Sequence, residues 1–108
     1  METEVSVVIS DRHPALEGHF PGHPVVPAVV ILTEVINAVS ETEGAKIRLH
    51  GVPVAKFISP LLPGERLTIR LGPRDRTGRA FTCISGERPV ATGCLEYGLP
   101  EGGQKEEA

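Results

Sequence analysis

Three histidines, His13, His19 and His23, share one short stretch with Pro14, Gly18, Pro21, Gly22 and Pro24. An imidazole titrates near neutrality, so a histidine fixed in such a loop can move a proton, bind a metal or serve as plain structure. The His19-x-x-x-His23 spacing would suit a metal pair on one helix face, but Pro21 and Gly22 forbid that helix. Cys83 and Cys94 lie far downstream without a CxxC pattern, and no second acidic cluster completes a ligand set. The metal reading therefore falls, and the cysteines read as two free, largely buried thiols of a reducing cytoplasm. His13 and His23 read as loop surface, and His50, beside Gly51, belongs to no motif.

Chemistry from such a loop needs a fixed neighbour. The prolines stiffen residues 11–27, and no proline or glycine follows Pro27 until Gly44. Residues 28–41 (AVVILTEVINAVSE) are therefore expected to form the one long helix, with Pro27 at its start and Gly44 past its end. The β-branched run would also suit a strand, but this segment is longer than an ordinary strand and ends in polar residues. Val29, Val30, Ile31, Leu32, Val35, Ile36, Ala38 and Val39 leave it apolar on nearly every side, which predicts burial on every side. A rigid loop feeding a buried helix is a way to hold one side chain beside a helix N-terminus.

The rest of the chain reads as strands. Residues 5–9 (VSVVI) make a first, short one. After the helix, a strand is expected to start at Ile47 and Leu49, break at Gly51 and Pro53, and resume over residues 54–58. Leu67, Ile69 and Leu71 alternate with Thr68 and Arg70, a half-buried strand. Residues 80–85 and 90–97 form a last hairpin around residues 86–89. One helix can be covered only by a curved sheet, so the expected fold is α+β, five or six antiparallel strands wrapped around it. Residues 1–98 make one domain, and the tail at 99–108 is rich in glycine and charge and expected to lack fixed structure.

Composition narrows the function. With 108 residues there is room for a single core, and with 4% aromatics that core must be aliphatic. Eleven basic residues stand against 14 acidic ones without a basic run, which argues against a nucleic-acid surface. The longest apolar run, residues 25–32, is too short to span a bilayer, and the opening METEV lacks the apolar length of a secretory leader.

Two blocks carry a resemblance. GHFPGHPVVPAVV, residues 18–30, resembles the signature of the β-hydroxyacyl-(acyl carrier protein) dehydratases, roughly G-H-F-P-G-x-P-x-x-P-G. KFISPLLPGERL, residues 56–67, is similar to that family's second block, Lys-Phe-x-x-Pro-x-x-Pro-Gly-acidic. The resemblance implies a hotdog fold of the short, single-domain kind. It also implies removal of water from a 3-hydroxyacyl thioester, carried by acyl carrier protein or coenzyme A, to give a trans-2-enoyl product in fatty-acid or related lipid metabolism. No cofactor or metal is implied. The implied assembly is a homodimer or higher, with sheets paired edge to edge and the site shared between chains.

Elimination of water needs a base at Cα, an acid at the departing hydroxyl and a holder for the thioester oxygen. The resemblance makes His19 the base, positioned by Phe20, Pro21 and Gly22. It makes the amides of Ala28 and Val29, at the positive end of the helix, the holder. The family has glycine where this chain has Ala28. The family acid falls fourteen residues after the histidine, which is Thr33 here, while Glu34 lies one step, about 100°, further around a helix. Thr33 cannot be an acid near neutral pH; its hydroxyl can position a water or bond back to the Val29 carbonyl. Glu34 reads either as a displaced acid or as a solvated side chain. Two rival readings follow: a relative that has lost catalysis and binds acyl carrier protein or a hotdog partner, and a hotdog thioesterase.

Overall fold

The computed structural model describes residues 3–10 and 25–100. Six elements follow in the order β1 (Thr3–Val8), α1 (Ala28–Glu43), β2 (Arg48–Phe57), β3 (Arg66–Leu71), β4 (Gly78–Ser85) and β5 (Arg88–Gly98). The strands form one sheet in the order β1-β3-β4-β5-β2, with every pairing antiparallel. This is the expected α+β arrangement, one helix against an antiparallel sheet.

The helix starts and stops where local chemistry says it should. Pro27 caps it with extended dihedrals, and its carbonyl takes the amides of Val30 and Ile31 at 3.0 and 3.3 Å. Gly44 ends it in the left-handed region at φ 75°, with Gly44 N bonded to Glu41 O and Ala45 N to Ser40 O, each at 3.2 Å.

The core is mostly aliphatic, with Phe81 its largest fully buried side chain. Leu67, Ile69 and Leu71 point inward from β3 while Arg66 and Arg70 point outward, the period-two pattern read from sequence. They meet Val35 and Val39 of α1, Phe81 and Cys83 of β4, and Val90 and Leu95 of β5. Gly93 lets β2 and the Phe81 ring close over β5: a Cβ there would sit 2.2 Å from the Val54 carbonyl oxygen and 2.9 Å from the ring.

Two expectations need correction. The helix is not buried on every side: Val30, Ile31, Val35, Ala38 and Val39 are buried, but Ala28, Val29, Thr33, Asn37 and Glu41 are exposed. One sheet covers one helix face, and Val29, an apolar side chain, is left 66% exposed. The second correction is β2, a single strand rather than two. Gly51 and Pro53 do not break it; they fall at register shifts between Leu49 and Gly51 and between Gly51 and Val54. Pro53 is tolerated because, among the described residues, β2 is an edge strand that pairs only with β5, so its missing N–H is needed by no second neighbour there.

Candidate active site

Where the chain enters α1, it meets the loop that follows β2. Val26 N donates to Leu61 O at 2.8 Å, joining the two signature blocks. Between them lies an open pocket of about 250 Å³, lined by Val25, Val26, Ala28 and Ile31 on one side. Residues 57–61 (FISPL) line the other side. The lining is apolar apart from Ser59, whose hydroxyl donates to the Pro89 carbonyl.

The helix N-terminus at this pocket has no side-chain cap. Pro27 has no side chain that could cap the first turn, and the first turn holds no acidic residue. Among the described residues, the amides of Ala28 and Val29 have no partner. First-turn amides and the positive end of a helix favour an anionic or carbonyl oxygen. Ala28 lines the pocket, whereas Val29 is exposed and does not.

Thr33 and Glu34 lie elsewhere. The Thr33 hydroxyl donates to the Val29 carbonyl oxygen at 2.8 Å, the back-bond open to any mid-helix threonine. Glu34 is half-buried in a separate groove of about 220 Å³ between helix and first strand, with Val5, Val7, Asn37, Ala38 and Glu41. So Ala28 is brought to the second signature block, and neither Thr33 nor Glu34 lines that pocket. His19, Phe20, Pro21 and Gly22, with His13 and His23, lie outside the described residues. Among the described residues no group of three or more potential ligands could hold a metal. No helix among them is long and apolar enough to cross a membrane. Cys83 is buried and Cys94 half-buried, and both are free.

The family model for ApeI-like proteins, described as ApeI dehydratase, matches residues 1–94. The chain belongs to the ApeI-like dehydratase family.

Curated relatives of this family member include the 3-hydroxyacyl-[acyl-carrier-protein] dehydratase FabZ of Myxococcus xanthus, 38% identical over 72 residues, or 58% of this chain and 47% of that protein. The FabZ of Bartonella henselae is 35% identical over 96 residues, or 76% of this chain and 59% of that protein. The chain thus spans about half the length of the curated relatives it matches. Among solved structures, the dehydratase heterocomplex ApeI:P from Xenorhabdus doucetiae superposes with a TM-score of 0.78 at 19% identity, covering 89% of this chain and 86% of that one. The (R)-hydratase of A. caviae involved in PHA biosynthesis gives a TM-score of 0.71 at 16% identity over 93% of this chain and 95% of that one. At these identities the structural likeness is one of fold, and the fold is the hotdog expected from the two blocks.

The sequence points to His19 and the helix as the site, and it carries no signal that Val26, Ile31, Ser59 or Leu61 form a pocket wall. The second block was visible as a motif, but its contact with the entry to α1 depends on tertiary placement that no periodicity records.

Proposed function

We propose that this family member dehydrates 3-hydroxyacyl thioesters, delivered on acyl carrier protein, to trans-2-enoyl thioesters. The observation that supports this reading is a helix N-terminus without a side-chain cap, whose first two amides have no partner among the described residues, beside an apolar pocket built by both signature blocks. The thioester oxygen would accept from the Ala28 and Val29 amides as negative charge develops on it. His19 would take the Cα proton, and the acyl chain would lie along Ile31, Phe57 and Leu61. The proton for the departing hydroxyl would come from a water or from Glu34. The site would be shared across a homodimer, with His19 of one chain facing the helix of the other.

The test is an assay of the purified protein with 3-hydroxyacyl carrier-protein substrates, following enoyl formation. Turnover should fall at least about a hundredfold in His19→Ala, the usual scale for a general base. Wild-type rates in that variant would assign His19 a structural role. No turnover in any form would favour the second reading, a non-catalytic relative that binds acyl carrier protein or another hotdog chain. One observation speaks for it: the residue at the acid register, Thr33, has its hydroxyl already bonded to Val29.

A further inference from the structure

The loop over residues 58–62 forms much of the pocket wall, yet of its side chains only Leu61 is buried. Something other than core packing must hold it. Most of the restraint comes from the start of β5. Ile58 N and Ser59 N donate to Val90 O at 2.8 and 3.4 Å. Arg88 grips the rest of the loop with one guanidinium. Its Nη2 donates to Pro60 O at 3.0 Å and to Glu65 Oε1 at 2.8 Å; its Nη1 donates to Glu65 Oε2 at 3.4 Å and its Nε to Ser59 Oγ at 3.3 Å. The Glu65 carboxylate in turn accepts the Leu62 amide at 2.9 Å. On its inner side the loop offers Leu61 O to Val26 N.

An ion pair this exposed, with side chains 42% and 31% accessible, adds little to global stability because water screens it. Its geometry is nevertheless demanding. Four directed N–H bonds from one planar fork reach three residues, which a lysine, a single point donor group, cannot reproduce.

We propose that Arg88 is a positioning residue: through Glu65, Pro60 and Ser59 it fixes the wall of the pocket beside the helix N-terminus. The helix itself is held independently by Val30, Ile31 and Val35 in the core. Losing Arg88 therefore loosens substrate binding while leaving the helix amides in place. A contact made equally in ground and transition states appears in KM and not in kcat. The substrate part of this inference rests on the proposed dehydratase reading; the structural part does not.

Amide hydrogen exchange by NMR and steady-state kinetics on the full chain test it, comparing wild type, Arg88→Met and Arg88→Lys. In Arg88→Met, exchange at Val26 and Leu62 should quicken at least about tenfold while Ile69 in β3 keeps its rate. KM for a 3-hydroxyacyl carrier-protein substrate should rise at least about fivefold with kcat within about twofold. Arg88→Lys should restore neither fully. Unchanged exchange at Val26, acceleration at Ile69 alongside it, or an unchanged KM would each overturn the proposal. An inactive wild type would sink the dehydratase reading alone, and exchange at Val26 would then decide the positioning role by itself.

Discussion

Thr33 and Glu34 are adjacent in sequence and differ in almost everything else. Thr33 is exposed with its hydroxyl bonded to the turn before it, and Glu34 is half-buried against Val5 and Val7 of β1. Only Thr33 occupies the register of the family acid. Thr33→Asp should therefore raise the dehydration rate by about tenfold or more, since a positioned acid is worth about a hundredfold when ideally placed. Glu34→Gln should leave the rate within about twofold; abolition by Glu34→Gln would instead make Glu34 the proton source. Both are read from enoyl formation with the same carrier-protein substrate. The Thr33 problem was legible in the sequence because it is a matter of counting along one helix, and the bond to Val29 is the one a helical threonine makes four residues back. The Arg88 network was not legible. Arg88 and Glu65 are separated by 23 residues and share no pattern; they meet only because β5 begins beside the loop after β2.

Among the elements, the helix has a problem at its C-terminus. Glu41 and Glu43 sit in the last turn, and no basic residue in that turn answers the negative end of the helix. The sheet supplies what the helix lacks. Glu43 accepts the Tyr97 hydroxyl and Arg79 Nε at 3.3 Å, with Arg74 Nη1 at 3.7 Å, and Arg79 Nη1 also donates to Gly72 O at 2.7 Å. Burial pushes the Glu43 carboxyl up, but the Tyr97 hydroxyl and the two arginines outweigh it and leave it below its ordinary value of 4.5. Burial and the Glu43 carboxylate push the Tyr97 hydroxyl above 10.0. A depressed carboxyl stabilises the fold above its unfolded pKa and loses that contribution as pH falls through the folded value; a raised phenol contributes below its unfolded pKa and loses that as pH rises. Urea midpoints should thus be flat near neutrality, fall below about pH 4.5 and fall again above about pH 10. Glu43→Gln should lower the neutral plateau and shallow the acid slope; an unchanged acid slope would assign the loss to Glu65 and Asp75, whose carboxyls are also depressed. The helix limits were readable from Pro27 and Gly44 alone, being local. The continuity of β2 was not, because a proline in a strand is permitted or forbidden by whether a neighbour lies on its far side, which is a property of the sheet.

The whole molecule is elongated, 48 × 29 × 22 Å, and ends on one side in β2. That edge strand has no fully buried residue, and Leu49, Val54, Phe57 and the adjoining Ile58 are each at least 40% exposed. A long edge strand with exposed apolar side chains is a template for another strand. Light scattering at micromolar concentration should show a dimer, and Val54→Asp should give a folded monomer with its circular dichroism intact, since Val54 is already half in water. A monomeric wild type would remove the shared site. The same packing has a practical consequence at Cys83. This thiol has no accessible surface, and burial pushes its pKa up to about 12. At pH 8 only roughly one native molecule in ten thousand would hold it as thiolate, the form that attacks a disulfide reagent. Modification of Cys83 by an aromatic disulfide must therefore wait for the core to open, while half-buried Cys94 supplies the comparison within the same molecule. With Cys94→Ser as background, the labelling rate of Cys83 should track the unfolding equilibrium as urea is added, giving the protein an internal clock for its own opening.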